Sequence, residues 1–135
     1  MKLRNLFLPL ITVVLMASIF AGCSAGSNTV ETCVISNEQY TDKAGLESAK
    51  QQQSFEADKD IFASVYFIES PKGMEYTGKW YVDGTEVKTE QKEMTTDTHG
   101  VIAFSLEADK LKTGVLRFEI VYGDDVLLSK ELTVQ

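Results

Sequence analysis

The stretch Trp80-Tyr81-Val82-Asp83-Gly84-Thr85-Glu86-Val87 decides the fold, because it places a tight-turn signal between two segments with strand character. A two-residue type I′ loop needs positive φ at both positions, and an Asp-Gly pair adopts that conformation readily. The flanking segments are rich in aromatic and β-branched side chains, which favour strands. The stretch therefore predicts an antiparallel hairpin with its turn at Asp83-Gly84.

Outward from this hairpin, a mostly period-two pattern runs from Val30 to the end of the chain, with turn residues at short intervals. Pro71-Lys72-Gly73 links two strands, and Gly123-Asp124-Asp125 predicts a second hairpin of the same kind. We predict seven strands, at residues 31–37, 60–69, 75–83, 85–92, 100–106, 114–122 and 126–134. The segment from Val126 to Lys130 breaks the alternation, which predicts a bulge. Seven short strands joined by such turns are typical of a β-sandwich.

The alternation also predicts which side chains form the core. One face of each of the longer strands carries a row of large apolar residues, and a fully buried side chain of this kind contributes about 1.5–3 kcal/mol. Such rows can hold a domain of this size together without a disulfide. The predicted rows are Ile61, Ala63, Val65 and Phe67; Tyr76, Trp80 and Val82; Ile102, Phe104 and Leu106; Leu116, Phe118, Ile120 and Tyr122; and Leu132 with Val134.

The run from Trp80 to Gly84 resembles the third strand and following hairpin of immunoglobulin-like domains, in which one tryptophan lies at the centre of the core. The segment from Leu106 to Gly114 is similar to the connection into the sixth strand of that family, where a short helical turn follows an apolar residue and glycine opens the next strand. The resemblance covers residues 31–135. It implies an all-β immunoglobulin-like sandwich of about seven strands.

Two features of the antibody form of this family are missing here: the pair of inter-sheet cysteines and the corner tyrosine. Val65 and either Phe118 or Ile120 stand where its inter-sheet cysteines would fall, and Leu116 stands where its corner tyrosine is usual. These departures exclude an antibody-like identity and leave the sandwich intact.

The outer face of the second predicted strand is unusually apolar, whereas an outer sheet face is normally polar. Residues 38–55 precede this strand, and we predict that they form a long loop with a helical turn. One interpretation is that this loop folds over the apolar face. The other is that the face binds a partner. The residues concerned are Phe62, Tyr66 and Ile68, together with Val101 of the predicted neighbouring strand.

Residues 1–22 have the three zones of a secretory signal peptide, with Lys2 and Arg4 before an apolar stretch and Ala21-Gly22 as a small-residue exit. The apolar stretch of about 15 residues contains Pro9 and is short for a spanning helix, which needs about 20. The exit together with Cys23 resembles a lipobox, which implies that the Cys23 thiol receives a diacylglyceryl group. An incidental cysteine is the alternative. Residues 23–30 then form a lipid-anchored flexible tether, and residues 31–135 form the domain.

Removal of the predicted signal peptide takes away two basic residues and no acid, so 11 basic and 20 acidic side chains remain, a net charge of −9. This charge argues against nucleic acid as a partner. If Cys23 carries lipid, Cys33 has no intramolecular disulfide partner. Cys33 is then either a buried free thiol or a residue that reacts or pairs between molecules.

Residues able to support catalysis or metal binding are few. His99, the only histidine, is expected to be a solvated turn residue, because no nucleophile and orienting acid can be assigned to it. The carboxylates of Asp58, Asp60, Asp124 and Asp125 are candidate calcium ligands or solvated turn acids, and their spacing is not that of an EF-hand. We therefore predict no cofactor, no metal and no enzymatic activity.

Taken together, these patterns predict a non-catalytic binding or accessory module, anchored by lipid to the outer face of a bacterial membrane. Its partner would be a protein or a glycan. One alternative is a small enzyme inhibitor, for which Pro71 to Glu75 is the candidate loop. The other alternative is a structural spacer of the cell envelope.

Overall fold

The computed structural model describes residues 29–135, so the predicted signal peptide and Cys23 lie outside the described residues. Within that range the chain forms eight strands, one short α-helix and one 3₁₀ turn. In chain order these are β1 (Val30–Ser36), α1 (Lys43–Ser48), β2 (Ser54–Phe55), β3 (Ile61–Ile68), β4 (Glu75–Val82), β5 (Thr85–Glu93), β6 (His99–Leu106), the 3₁₀ turn (Ala108–Lys110), β7 (Gly114–Tyr122) and β8 (Asp125–Val134).

The strands form two sheets that face each other across the apolar rows. One sheet has the order β1-β3-β6 and the other the order β2-β8-β7-β4-β5. Every pairing is antiparallel except that of β2 with β8. This order, with a buried tryptophan on β4, is that of an immunoglobulin-like sandwich. The predicted fold class is confirmed.

All seven predicted strands are present, with ends that differ from the prediction by at most one residue. The turn at Asp83-Gly84 has φ values of 49° and 81°, as a type I′ turn requires. The second hairpin differs, because only Gly123, with φ of 60°, has positive φ there, as in a type II′ turn. The predicted bulge on β8 is confirmed, since Ile120 pairs with Leu128 and Val121 with Val126.

The strand that sequence patterns missed is β2. It has two residues and pairs in parallel with the end of β8. Alternation cannot be read from two residues, so only the neighbouring strand reveals this element.

Trp80 is fully buried at the centre of the core, with its ring centroid 4.4 Å from that of Phe118. Gly78 occupies the same inward row of β4, and the ring of Phe104 fills the space above it. A Cβ atom on Gly78 would lie 2.5 Å from that ring, so this position admits only glycine without movement of Phe104.

One predicted core residue is wrong: Tyr122 is 43% exposed, because it ends β7 beside the hairpin turn.

Three lysines lie on inward-facing rows of the five-stranded sheet. Lys88 pairs with Trp80, Lys92 with Tyr76, and Lys130 with Phe118. Because β5 and β8 flank the centre of this sheet, the lysine stems run along the rim of the core and their ammonium groups reach the other sheet.

The ammonium groups satisfy backbone carbonyls on the outer strands of the three-stranded sheet. Lys88 Nζ donates to the Ser105 oxygen at 2.6 Å, and Lys92 Nζ donates to the Ala103 oxygen at 2.7 Å. On the opposite side of the sandwich, the Gln51 side chain accepts from the Ile35 amide at 3.0 Å and donates to the Ile35 oxygen at 2.8 Å. Both open sides are therefore closed by side chains, which protects the edge strands from pairing with another chain.

Candidate binding surfaces

The outer face of the three-stranded sheet is covered at its centre by α1. Leu46, the one buried residue of the helix, packs on Val34 and Tyr66 in a second, smaller apolar cluster. Partly buried residues around this cluster are Tyr40, Ala49, Ile68 and Val101. The interpretation that the loop folds over this face therefore describes the structure.

Polar contacts fix the covering loop in place. The backbone amide of Tyr40 donates to Ser64 Oγ at 3.0 Å, which satisfies the buried hydroxyl in the middle of this face. Asp42 caps α1 by accepting from the Gly45 amide at 2.6 Å. The ammonium group of Lys43 lies 5.2 Å from the ring centroid of Tyr66, within the range of a cation–π contact.

The predicted partner-binding residues therefore differ in exposure. Tyr66 is only 6% exposed and cannot touch a partner unless α1 moves. Phe62, Ile68 and Val101 are partly exposed around it. A binding role for this rim stays a prediction.

The outer face of the five-stranded sheet is accessible and carries a stacked pair of side chains. The guanidinium carbon of Arg117 lies 4.2 Å from the ring centroid of Tyr81, and Arg117 Nε lies 3.7 Å from Glu119 Oε2. The strand register brings this group together, since Tyr81 pairs with Arg117. The outward residues of β4 and β7 are all partly or fully exposed: Thr77, Lys79, Tyr81, Val115, Arg117, Glu119 and Val121.

The surroundings of Tyr81 shift the pKa of its phenol. Burial and the Glu119 carboxylate raise the pKa of Tyr81 above its ordinary value. A tyrosine phenol is protonated at neutral pH in any case, so Tyr81 carries a hydrogen-bond donor there. Sequence reasoning missed this group, although alternation already places Tyr81, Arg117 and Glu119 opposite to the core rows.

A third surface lies at the end of the sandwich that carries the β3–β4 loop and the β7–β8 turn. A cleft of about 780 Å³ is lined there by Lys72, Gly73, Met74, Glu75, Thr77, Gln91, Tyr122 and Gly123. Gln91 Nε2 donates to Glu75 Oε2 at 3.0 Å. The Tyr122 ring rests against Tyr76, with centroids 5.7 Å apart.

The candidate inhibitor loop, Pro71 to Glu75, borders this cleft and is held at both of its central residues. The Lys72 amide donates to Asp97 Oδ1 at 3.2 Å, and the Gly73 amide donates to the Met94 oxygen at 2.8 Å. The loop therefore lies along the sandwich and is bonded to the neighbouring β5–β6 connection.

The residues considered for chemistry have structural contacts. His99 begins β6 and is exposed, with Nδ1 2.9 Å from the Thr98 hydroxyl. Asp60 Oδ1 accepts from the Ala108 amide at 2.8 Å, which joins two turns. Within residues 29–135 no group of three or more His, Cys, Asp or Glu side chains could hold a metal ion. In the same range no helix is long and apolar enough to cross a bilayer.

Cys33 is buried on β1, with 7% exposure. Burial raises the pKa of its thiol to about 12, an effect that the charge of Lys130 reduces. The thiolate is the reactive form of cysteine. The structure thus places Cys33 among unreactive, buried thiols.

No family model matches the chain, and no curated protein matches it in sequence. Among solved structures, a β-glucosidase from Listeria innocua in complex with gluconolactone is similar, with a TM-score of 0.49 and 9% identity over 78% of this chain. The chain spans only 16% of that protein. An immunoglobulin-like protein from Pseudomonas aeruginosa has a TM-score of 0.48 and 15% identity, over 82% of this chain and 100% of that one.

A CARDB domain from Pyrococcus furiosus, in complex with di-metal ions, has a TM-score of 0.42 and 12% identity, over 79% of this chain and 90% of that one. These likenesses concern the fold alone. The strand order and register define the class of this protein, an immunoglobulin-like β-sandwich.

Proposed function

We propose that this protein is a lipid-anchored lipoprotein of the bacterial cell envelope, whose immunoglobulin-like domain binds a protein partner without catalysis. The observation that carries the binding role is the stacked pair of Tyr81 and Arg117 on the accessible face of the five-stranded sheet. The anchor is supported by the resemblance of the segment ending at Cys23 to a lipobox.

A protein partner suits this face because tyrosine and arginine dominate the binding energy of protein interfaces. Stacking of the two side chains already restricts their rotamers, so less conformational entropy is lost when a partner binds. The net charge of −9 after removal of the signal peptide would steer a partner with a basic surface toward the domain. Such a face needs no nucleophile, metal or cofactor.

The binding role is tested by affinity capture from membrane extracts with the lipidated protein. Tyr81→Ala and Arg117→Ala should each weaken retention of a partner about tenfold or more, the usual result at an interface hot spot. Tyr122→Ala is the matched control, because it removes another partly exposed tyrosine at the end of the sandwich. The urea midpoints of all three variants must be measured, so that loss of folding is not mistaken for loss of binding.

Unchanged retention in the folded Tyr81→Ala and Arg117→Ala variants would contradict the proposed face. If the retained ligand survives protease digestion of the extract, the partner is a glycan and not a protein.

The anchor is tested separately with Cys23→Ser. The variant should carry no lipid in a mass spectrum and should leave the membrane fraction. If it stays in membranes and labels with lipid as the parent does, the anchor is not at Cys23.

A further inference from the structure

Thr29 marks the point at which the preceding chain enters the sandwich. Its backbone oxygen accepts from the Ile68 amide at 2.8 Å, where β3 ends. Its hydroxyl lies 3.4 Å from the Tyr76 hydroxyl, which is itself 2.6 Å from Ser70 Oγ. Thr29 is therefore fixed at one end of the domain.

That end, which we call the loop end, consists of the β3–β4 loop, the β5–β6 connection and the β7–β8 turn. The Ser70 amide donates to the Thr98 oxygen at 2.9 Å, which ties the first two together. The opposite end, called the hairpin end, carries the Asp83-Gly84 turn and the 3₁₀ turn. There the Asp83 amide donates to the Val115 oxygen at 2.9 Å.

The two ends lie at different distances from the proposed anchor at Cys23, because the chain that joins Cys23 to the domain is short. Only six peptide links join Cys23 to Thr29, so they span about 20 Å at most. Strand β3 has eight residues, and at about 3.3 Å per residue its two ends are about 25 Å apart. The loop end is thus held within reach of the bilayer surface, while the hairpin end extends beyond it.

We propose that the loop end faces the bilayer and that the hairpin end and the five-stranded sheet face are the surfaces presented to partners. This orientation rests on the proposed lipid anchor at Cys23. It also selects among the surfaces described above. The tether leaves at most about 20 Å between the loop end and the bilayer. A globular partner of 100 residues has a radius of gyration of about 13 Å, so it is wider than this gap. The cleft beside Tyr122 is therefore shielded.

Charge draws no surface of the domain onto the membrane, so the orientation is set by the length of the tether. The loop end carries acidic side chains at Glu69, Asp97, Asp124 and Asp125 against one basic residue at Lys72. The rest of the domain is acidic as well. Anionic lipids attract basic segments and repel acidic ones, so neither sheet face is drawn onto the membrane.

The orientation can be measured by energy transfer from single cysteines to acceptor-labelled lipid headgroups. Lys72→Cys places a maleimide donor at the loop end and Lys110→Cys places one at the hairpin end. Both positions are exposed lysines, so the variants are matched. Cys33 is buried and protonated and Cys23 would carry lipid, so the introduced thiol alone should label. The full lipidated protein is reconstituted in vesicles of zwitterionic and anionic lipids.

Transfer should be several-fold greater from position 72 than from position 110. Equal or reversed transfer in protein whose lipid is confirmed by mass would overturn the orientation and leave the anchor intact. Absence of lipid mass, with no transfer from either position, would instead show that the anchor has failed, and the orientation with it. Unlipidated Cys23→Ser protein carrying the same donors supplies the baseline.

Discussion

The ammonium group of Lys130 lies 2.5 Å from the backbone oxygen of Cys33, so a lysine of one sheet caps a carbonyl of the other. Lys130 stands opposite Phe118 in the inward row of β8. Its aliphatic stem lies at the rim of the core, and only its charged end reaches β1. The contact joins residues 97 positions apart in the chain and lies at the edge strand β1.

We expect Lys130→Met to lower the free energy of unfolding by about 1–3 kcal/mol, because the stem is kept while a partly buried backbone acceptor loses its charged donor. Urea unfolding measures the change. Lys110→Met, at an exposed position of the 3₁₀ turn, is the control and should stay within about 0.5 kcal/mol of the parent. Equal midpoints for the two variants would show that the contact adds nothing.

Trp80→Ala should lower the free energy of unfolding by about 3–5 kcal/mol, since the loss of transfer energy adds to the cost of a cavity. Total stabilities are about 5–15 kcal/mol, so this loss is a large fraction of the total. Trp80→Phe is the control. It keeps an aromatic ring and removes an indole N–H that finds no acceptor within residues 29–135, so it should cost less.

Trp80 fluorescence reports the same burial in the parent protein. Emission should be blue-shifted in the folded state and move to longer wavelength in urea. A water-like emission maximum in the native protein would be incompatible with a buried Trp80.

Tyr66→Ser should destabilise the domain, because it removes an aromatic side chain that packs on Val34 and Leu46. Phe62→Ser, in the same strand but only partly buried, should cost less. Leu46→Ala should also destabilise the domain, since the two residues share one cluster. Midpoints of urea unfolding for the three variants test directly whether α1 packs on this face. A near-neutral Tyr66→Ser would mean that α1 does not pack on this face in solution.

Stability should fall as the pH rises above the ordinary thiol value. The Cys33 pKa is raised from 9.0 to about 12 in the folded state, so between those values the unfolded chain loses a proton that the native protein keeps. The unfolded state then binds fewer protons, and stability decreases by up to about 1.4 kcal/mol per pH unit. Below pH 9 the thiol is protonated in both the folded and the unfolded state, so this loss of stability is absent.

Lysines titrate in the same range, so the measured quantity is the difference from Cys33→Ala across pH 8–10. The parent should lose stability more steeply than that variant. Parallel slopes would show that the thiol does not stay protonated in the fold. The parent should also resist maleimide at pH 7 until urea unfolds it.

The sequence by itself determined seven of the eight strands in residues 29–135, the Asp83-Gly84 hairpin and the central place of Trp80. These features depend on local properties: side-chain alternation with period two, and the ability of an Asp-Gly pair to adopt positive φ. They need no knowledge of what lies across the core, and for that reason the predicted strand ends agree with the structure to within one residue.

The tertiary structure alone decided which surfaces are open. Leu46 belongs to a helix of six residues with no apolar stripe, and it covers Tyr66 only because the β1–β3 connection folds back over the sheet. Lys130 is a second example. Its inward position breaks the alternation and is explained only by its contact with the edge strand β1. Tyr81 and Arg117 are 36 positions apart in sequence, and their stacking follows from the register between β4 and β7. Contacts between distant segments depend on strand order and register, which local patterns do not encode.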